Sequence, residues 1–140
     1  MSTPDILICE NNFIHFKYDH IKKILFVTAK PSDPTDEEWE FVKDTIREYY
    51  DVAIKTNQKF SMLMDIRKLK SLHWSQYEDY RSFFNDLRSK TAICIHGTAI
   101  INNMLFIRSA LNAFFAIYTA ERPVSFVDSI AGGELFFQSI

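Results

Sequence analysis

Short β-prone runs alternate with longer stretches of helical periodicity along almost the whole chain, and this alternation limits the fold more than any other feature. Ile24 to Ala29 is a continuous apolar run of the kind that suits a strand covered on both faces. Pro31 and Pro34 punctuate a loop, and Thr35 with Glu38 forms a capping box that predicts the start of a first helix. In that helix Trp39, Val42, Ile46, Tyr49, Tyr50 and Ala53 recur at three- and four-residue spacing on one face. Glu40, Lys43, Asp44, Arg47 and Glu48 fall on the other. The pattern repeats with Phe60 to Ile66 as a strand, a helix carrying Tyr77, Tyr80, Phe84 and Leu87, and Ala92 to Ile101 as a strand. A third helix follows with Met104, Ile107, Leu111, Phe114, Phe115 and Tyr118 inward, then a strand over Val124 to Val127 and a short terminal helix through Leu135 and Phe136. Near the start, Ile6 to Cys9 and Phe13 to Tyr18 flank the turn chemistry of Glu10-Asn11-Asn12 and predict a hairpin. Connections this long between strands suit right-handed crossovers. The expected fold is therefore α/β, with a largely parallel or mixed sheet of about four to six strands, an N-terminal hairpin and about four helices.

The chain of 140 residues is sized for a single domain over 1–140, and its 47% apolar and 24% charged residues, with three Gly and four Pro, describe a globule. A formal charge of −2 spread over segments of mixed sign offers no footprint for a phosphate backbone, so nucleic acid is not an expected partner. Cys9 and Cys94 lie inside apolar runs, where free cysteine behaves as a small hydrophobe. Met1 to Asp5 lacks the charged and apolar regions of a signal peptide, and no apolar stretch reaches the ~18 residues of a membrane span. These features predict a cytoplasmic protein.

Glycine-rich phosphate loops are missing, and Gly97, Gly132 and Gly133 are the only glycines. His15, His20, His73 and His96 are scattered, and neither cysteine has a partner at ligand spacing, so neither a metal nor a cofactor is expected. Asp65 ends a central strand, where open α/β sheets place functional groups. The plainer expectation is that it accepts bonds from the following loop, with Arg67 as ion-pair partner. His96, towards the end of the next strand, is expected to face the same edge as Asp65 or to be a half-buried structural histidine. A Ser/His/Asp set can be assembled on paper from Ser75, His73 or His96, and Asp65, but no GxSxG elbow accompanies it, and no catalytic residue is assigned. Ser75 falls where loop passes into helix, so it is a phosphorylation candidate or an ordinary first-turn serine. Arg108 and Asn112 give the third helix a polar edge among aromatic residues.

The order of elements, with Phe60-Ser-Met-Leu-Met-Asp65 and the following Leu69 to Tyr77, resembles the STAS-like fold of the anti-sigma factor antagonists. It is more similar still to the small SpoIIAA-like proteins, which share that fold with CRAL-TRIO lipid-binding domains. Lys90-Thr-Ala-Ile-Cys-Ile and Arg122-Pro-Val-Ser-Phe-Val extend the resemblance over nearly the whole chain. In the antagonists an Asp-Ser-Ser-Gly stretch opens a helix, and its second serine is phosphorylated. The matching stretch here is His73-Trp74-Ser75-Gln76, in which Ser75 alone keeps its identity. The resemblance implies the fold and a tendency to work by binding.

The first functional expectation is a non-enzymatic protein-interaction or regulatory module. It presents Asp65, Arg67, His73, Trp74, Ser75, His96 and Arg108 around the helix surfaces to a protein partner. A carrier of an apolar or lipid-like ligand is the alternative, suggested by the CRAL-TRIO kinship and by 13 Phe, six Tyr and two Trp. An enzyme using Asp65, His73 or His96 stands third. An exposed edge on the N-terminal hairpin would allow a homodimer.

Overall fold

The computed structural model describes residues 6–69, 74–102 and 121–140. Strands β1 (Ile6–Glu10) and β2 (Ile14–Asp19) form the expected antiparallel hairpin. Its turn is set by Asn11, whose Oδ1 accepts from the backbone N–H groups of Phe13 and Ile14 at 2.8 and 2.9 Å. The Asn11 amide also donates to the Glu38 carbonyl at 3.0 Å, tying the turn to the first helix. β3 (Ile24–Ala29) pairs antiparallel with β2. There follow α1 (Asp36–Lys55), β4 (Phe60–Asp65), α2 (Trp74–Asp86), α3 (Arg88–Cys94), β5 (Ile95–Ile101), β6 (Val124–Val127) and α4 (Ile130–Ser139). The capping box forms as read, with Thr35 Oγ1 accepting from Glu38 N and Glu38 Oε1 accepting from Thr35 N.

The six strands lie side by side in chain order, antiparallel from β1 to β3 and parallel from β3 to β6, so the sheet is mixed. The connections from β3 to β4 and from β4 to β5 step in the same direction, and right-handed crossovers put α1, α2 and α3 on one face. There Val42, Ile46, Tyr50, Phe83, Leu87 and Cys94 join Phe16, Leu25, Phe60, Met62 and Ile95 in one core. The opposite face is smaller and is closed by α4, where Phe137 packs on Ile24, Leu63, Ala99 and Ile101. Gly133 permits that approach, since a Cβ there would meet Leu63 Cδ1 at 2.7 Å.

Three expectations are corrected. Ala92 to Cys94 belong to α3, and the strand begins at Ile95. This short helix is seated on α1 by Lys90 pairing with Asp51 at 2.7 Å and Thr91 Oγ1 donating to Tyr50 Oη at 3.2 Å. Lys43, assigned by periodicity to the outer face of α1, is only 7% exposed because α2 lies over it. In α2 the core position is Phe83, one residue before the expected Phe84, which packs at its margin. The helix read over Met104 to Tyr118 lies outside the described residues.

Both cysteines are free, and burial pushes the Cys94 thiol up to about 11, which suits an inert core residue. Among the described residues no helix is long and apolar enough to cross a membrane.

Candidate functional site

β4 runs Phe-Ser-Met-Leu-Met-Asp, and its apolar residues fix the strand between β3 and β5 so that Asp65 emerges at the carboxyl edge of the parallel strands. There it is level with Thr28 on one side and Ile101 on the other. The next residues turn sharply: Asp65 Oδ1 accepts from the backbone N–H of Arg67 at 3.2 Å and from Arg67 Nε at 3.0 Å, while Oδ2 accepts from a terminal guanidinium nitrogen at 2.7 Å. This fork-on-fork pair fixes both side chains. The Asp65 side chain is 14% exposed and that of Arg67 is 42% exposed, so the carboxylate is covered and the guanidinium reaches solvent. The Arg67 hydrogen bond, helped by backbone bonding and the nearby Lys68 charge, outweighs burial and holds the Asp65 carboxyl below its ordinary value. Asp65 is thus ionised near neutrality, and both of its oxygens are engaged by Arg67. The pair is neutral overall and is not a free acid or base; what it can offer is the Arg67 N–H groups that Asp65 does not take.

His96 does not share this edge. Asp65 is level with Ile101, the last residue of β5, whereas His96 is the second residue of that strand, about 15 Å back along it. Its Nε2 lies 2.9 Å from the Phe137 carbonyl, and because a carbonyl only accepts, that nitrogen donates. The register between β4 and β5 shifts across His96 and Gly97, a bulge that turns both residues toward α4. Arg122 completes this corner by donating to the carbonyls of Ile95 and His96 at 3.1 and 3.3 Å. His96 therefore fastens the end of α4 to the start of β5, in keeping with the structural alternative.

His73 and Arg108 lie outside the described residues. Trp74 and Ser75 are the first two residues of α2, but their side chains lie outside them too. The helix start is nonetheless where the sequence put it, nine residues beyond Asp65 along the chain.

A polar cluster between α1 and α2 escaped the sequence reading. Asp79 accepts from Trp39 Nε1 and from Lys43 Nζ, the latter at 3.1 Å, and Lys43 also reaches Glu40 at 2.7 Å. Lys43 lies 5.5 Å from the Trp39 ring centroid, and Arg47 lies over Phe83 at 5.0 Å. Burial works against the Lys43 ammonium, yet its bonds to Glu40 and Asp79 outweigh it and raise the pKa. Burial likewise opposes the Asp79 carboxylate, and its bonds from Trp39 and Lys43 bring it below the ordinary value. The i, i+4 spacing of Trp39 and Lys43 was visible in the sequence, but their common acceptor sits 36 residues beyond Lys43. The cluster docks one helix on another.

Among the described residues no group of three or more His, Cys, Asp or Glu could hold a metal ion. No protein-family model, curated protein or solved structure matches the chain.

Proposed function

We propose that the protein is a non-enzymatic protein-interaction or regulatory module of STAS-like fold, in a reducing cytoplasm. Its binding rim joins Arg67 to the first turn of α2. The observation that carries the reading is the Asp65–Arg67 pair, which covers a carboxylate and holds a half-exposed guanidinium at the carboxyl edge of the sheet, where open α/β sheets meet their ligands. Two of the three acid–base candidates support it as well. Asp65 is engaged by Arg67, and His96 is engaged by the Phe137 carbonyl at the far end of β5.

Asp65 takes Nε and one terminal nitrogen of Arg67, so the guanidinium is held in one orientation and its remaining N–H groups suit acceptor oxygens on a partner surface. Capture of partners from the native source with the wild-type chain, Arg67→Glu and Ser75→Glu checks the reading. A specific protein retained by wild type and lost with Arg67→Glu supports it. Retention unchanged by both substitutions, or a tightly held apolar adduct in the native mass spectrum, would replace it. A phosphate on Ser75 is the subsidiary reading, and an added mass on that residue in protein from the native source is its readout.

A further inference from the structure

β1 ends the sheet, and among the described residues no segment pairs with its outer edge. Asn11 N donates to Ile14 O at 3.0 Å. By the alternation of an antiparallel ladder, the N–H and C=O of Leu7 and Cys9 then point to β2, while those of Ile6, Ile8 and Glu10 point outward. Protected edges carry lysines, prolines or bulges. β1 is Ile-Leu-Ile-Cys-Glu, its register to β2 is unbroken, and its one charge, Glu10, is held by Lys30 at 2.5 Å. Ile8 is 65% exposed. Its cross-strand neighbour Lys17 directs its ammonium over the Phe26 ring at 5.6 Å, away from the edge.

We propose that β1 pairs antiparallel with β1 of a second copy about a two-fold axis at Ile8, making one continuous sheet from two. In this register Ile8 faces Ile8 of the other copy, and Ile6 faces Glu10, so every outward N–H meets an outward C=O. The central pair is apolar. The two Lys17 residues fall three strand spacings apart, about 14 Å, beyond the ~8 Å over which exposed charges act at physiological salt. The Lys30 pair neutralises Glu10, so no like-charge pair opposes closure. A second copy fits this edge because the two-fold register sets Ile8 on Ile8 at the centre and brings no like charges face to face.

Sedimentation velocity of the full chain from about 1 to about 200 µM suits an interface of this small size. The expected result is a reversible dimer in that range. Ile8→Pro removes an outward N–H without removing a bond to β2, and Ile8→Lys sets like charges face to face. Both are expected to sediment as monomers with unchanged circular dichroism. Ile8→Cys is expected to form a disulfide-linked dimer on oxidation, since a bonded antiparallel pair holds its Cα atoms ~5.5 Å apart, inside disulfide range. Wild-type Cys9 packs on the core side and is expected not to cross-link. A wild-type monomer throughout, a dimer indifferent to Ile8→Lys, or a dimer that Ile8→Cys fails to link would each overturn the proposal. Should Ile8→Pro fail to fold, the lysine and cysteine variants still decide it.

Discussion

At Asp65 the direction of the pKa displacement sets the sign of a measurable effect. Its folded value lies below the ~3.9 of the unfolded chain. The pair's stabilisation is therefore complete above that value and is lost as pH falls through the lower folded one. Asp65→Asn is expected to cost ~0.5–1 kcal/mol at pH 7, the range of a partly exposed pair, and almost nothing in strong acid. Urea unfolding at the two pH values checks this, and an equal loss at both would assign the effect to something other than charge. Lys43 behaves in the opposite sense. Its raised pKa means that its contribution is present below the unfolded value and fades as pH rises through the folded one. Asp79→Ala strands the Trp39 donor, leaves Lys43 with Glu40 alone and is expected to cost about 2 kcal/mol, whereas Lys43→Met is expected to fall within about 1 kcal/mol of wild type. Thermal unfolding of the two variants separates them, and a Lys43→Met loss as large as that of Asp79→Ala would contradict this account. Asp65 could be read from the sequence because its partner is two residues away. Lys43 could not, because α2 decides its burial.

At the scale of elements, α4 is held by close approach more than by bulk. A Cβ at Gly133 would sit 2.7 Å from Leu63 Cδ1 and 3.4 Å from Ala99 Cβ, both in the buried second cluster. A Cβ at Gly97 would meet Ile140 Cδ1 at 2.4 Å, but Ile140 is an exposed terminal side chain with room to turn. Gly133→Ala is therefore expected to lose ~1–2 kcal/mol despite alanine's better helix propensity, and Gly97→Ala no more than ~0.5 kcal/mol. Chemical denaturation of both ranks them, and the reverse order would show that α4 is not set by the Gly133 contact. The hairpin, β3, α1, β4 and α4 were legible because turn residues, caps and apolar runs sit within each segment. α3 was not, since Ala92 to Cys94 join an apolar run that continues into β5. The bulge at His96 and Gly97 was equally hidden, because it answers to α4 some forty residues on.

For the whole molecule, the sheet passes from a centre covered on both faces to an edge that is open. Leu63 of β4 lies under α4, and Met62 beside it lies under the helix-bearing face. Amide exchange in β4 should thus require the largest opening. Toward β1 the protection should divide by residue: Leu7 and Cys9 amides bond to β2 and are slowed, while Ile6, Ile8 and Glu10 amides point outward and exchange quickly in the monomer. Raising the protein concentration is expected to slow Ile8 and Glu10, whose amides have no partner strand in the monomer. Pairing with a second copy covers amides that the monomer leaves unbonded, whereas general stabilisation would slow β4 and leave those amides fast. Exchange measured at a dilute and a concentrated point separates these. Slowing of β4 with the outward amides of β1 still fast would signify tighter folding alone, and slowing of those outward amides would mark the edge as the surface where two copies meet.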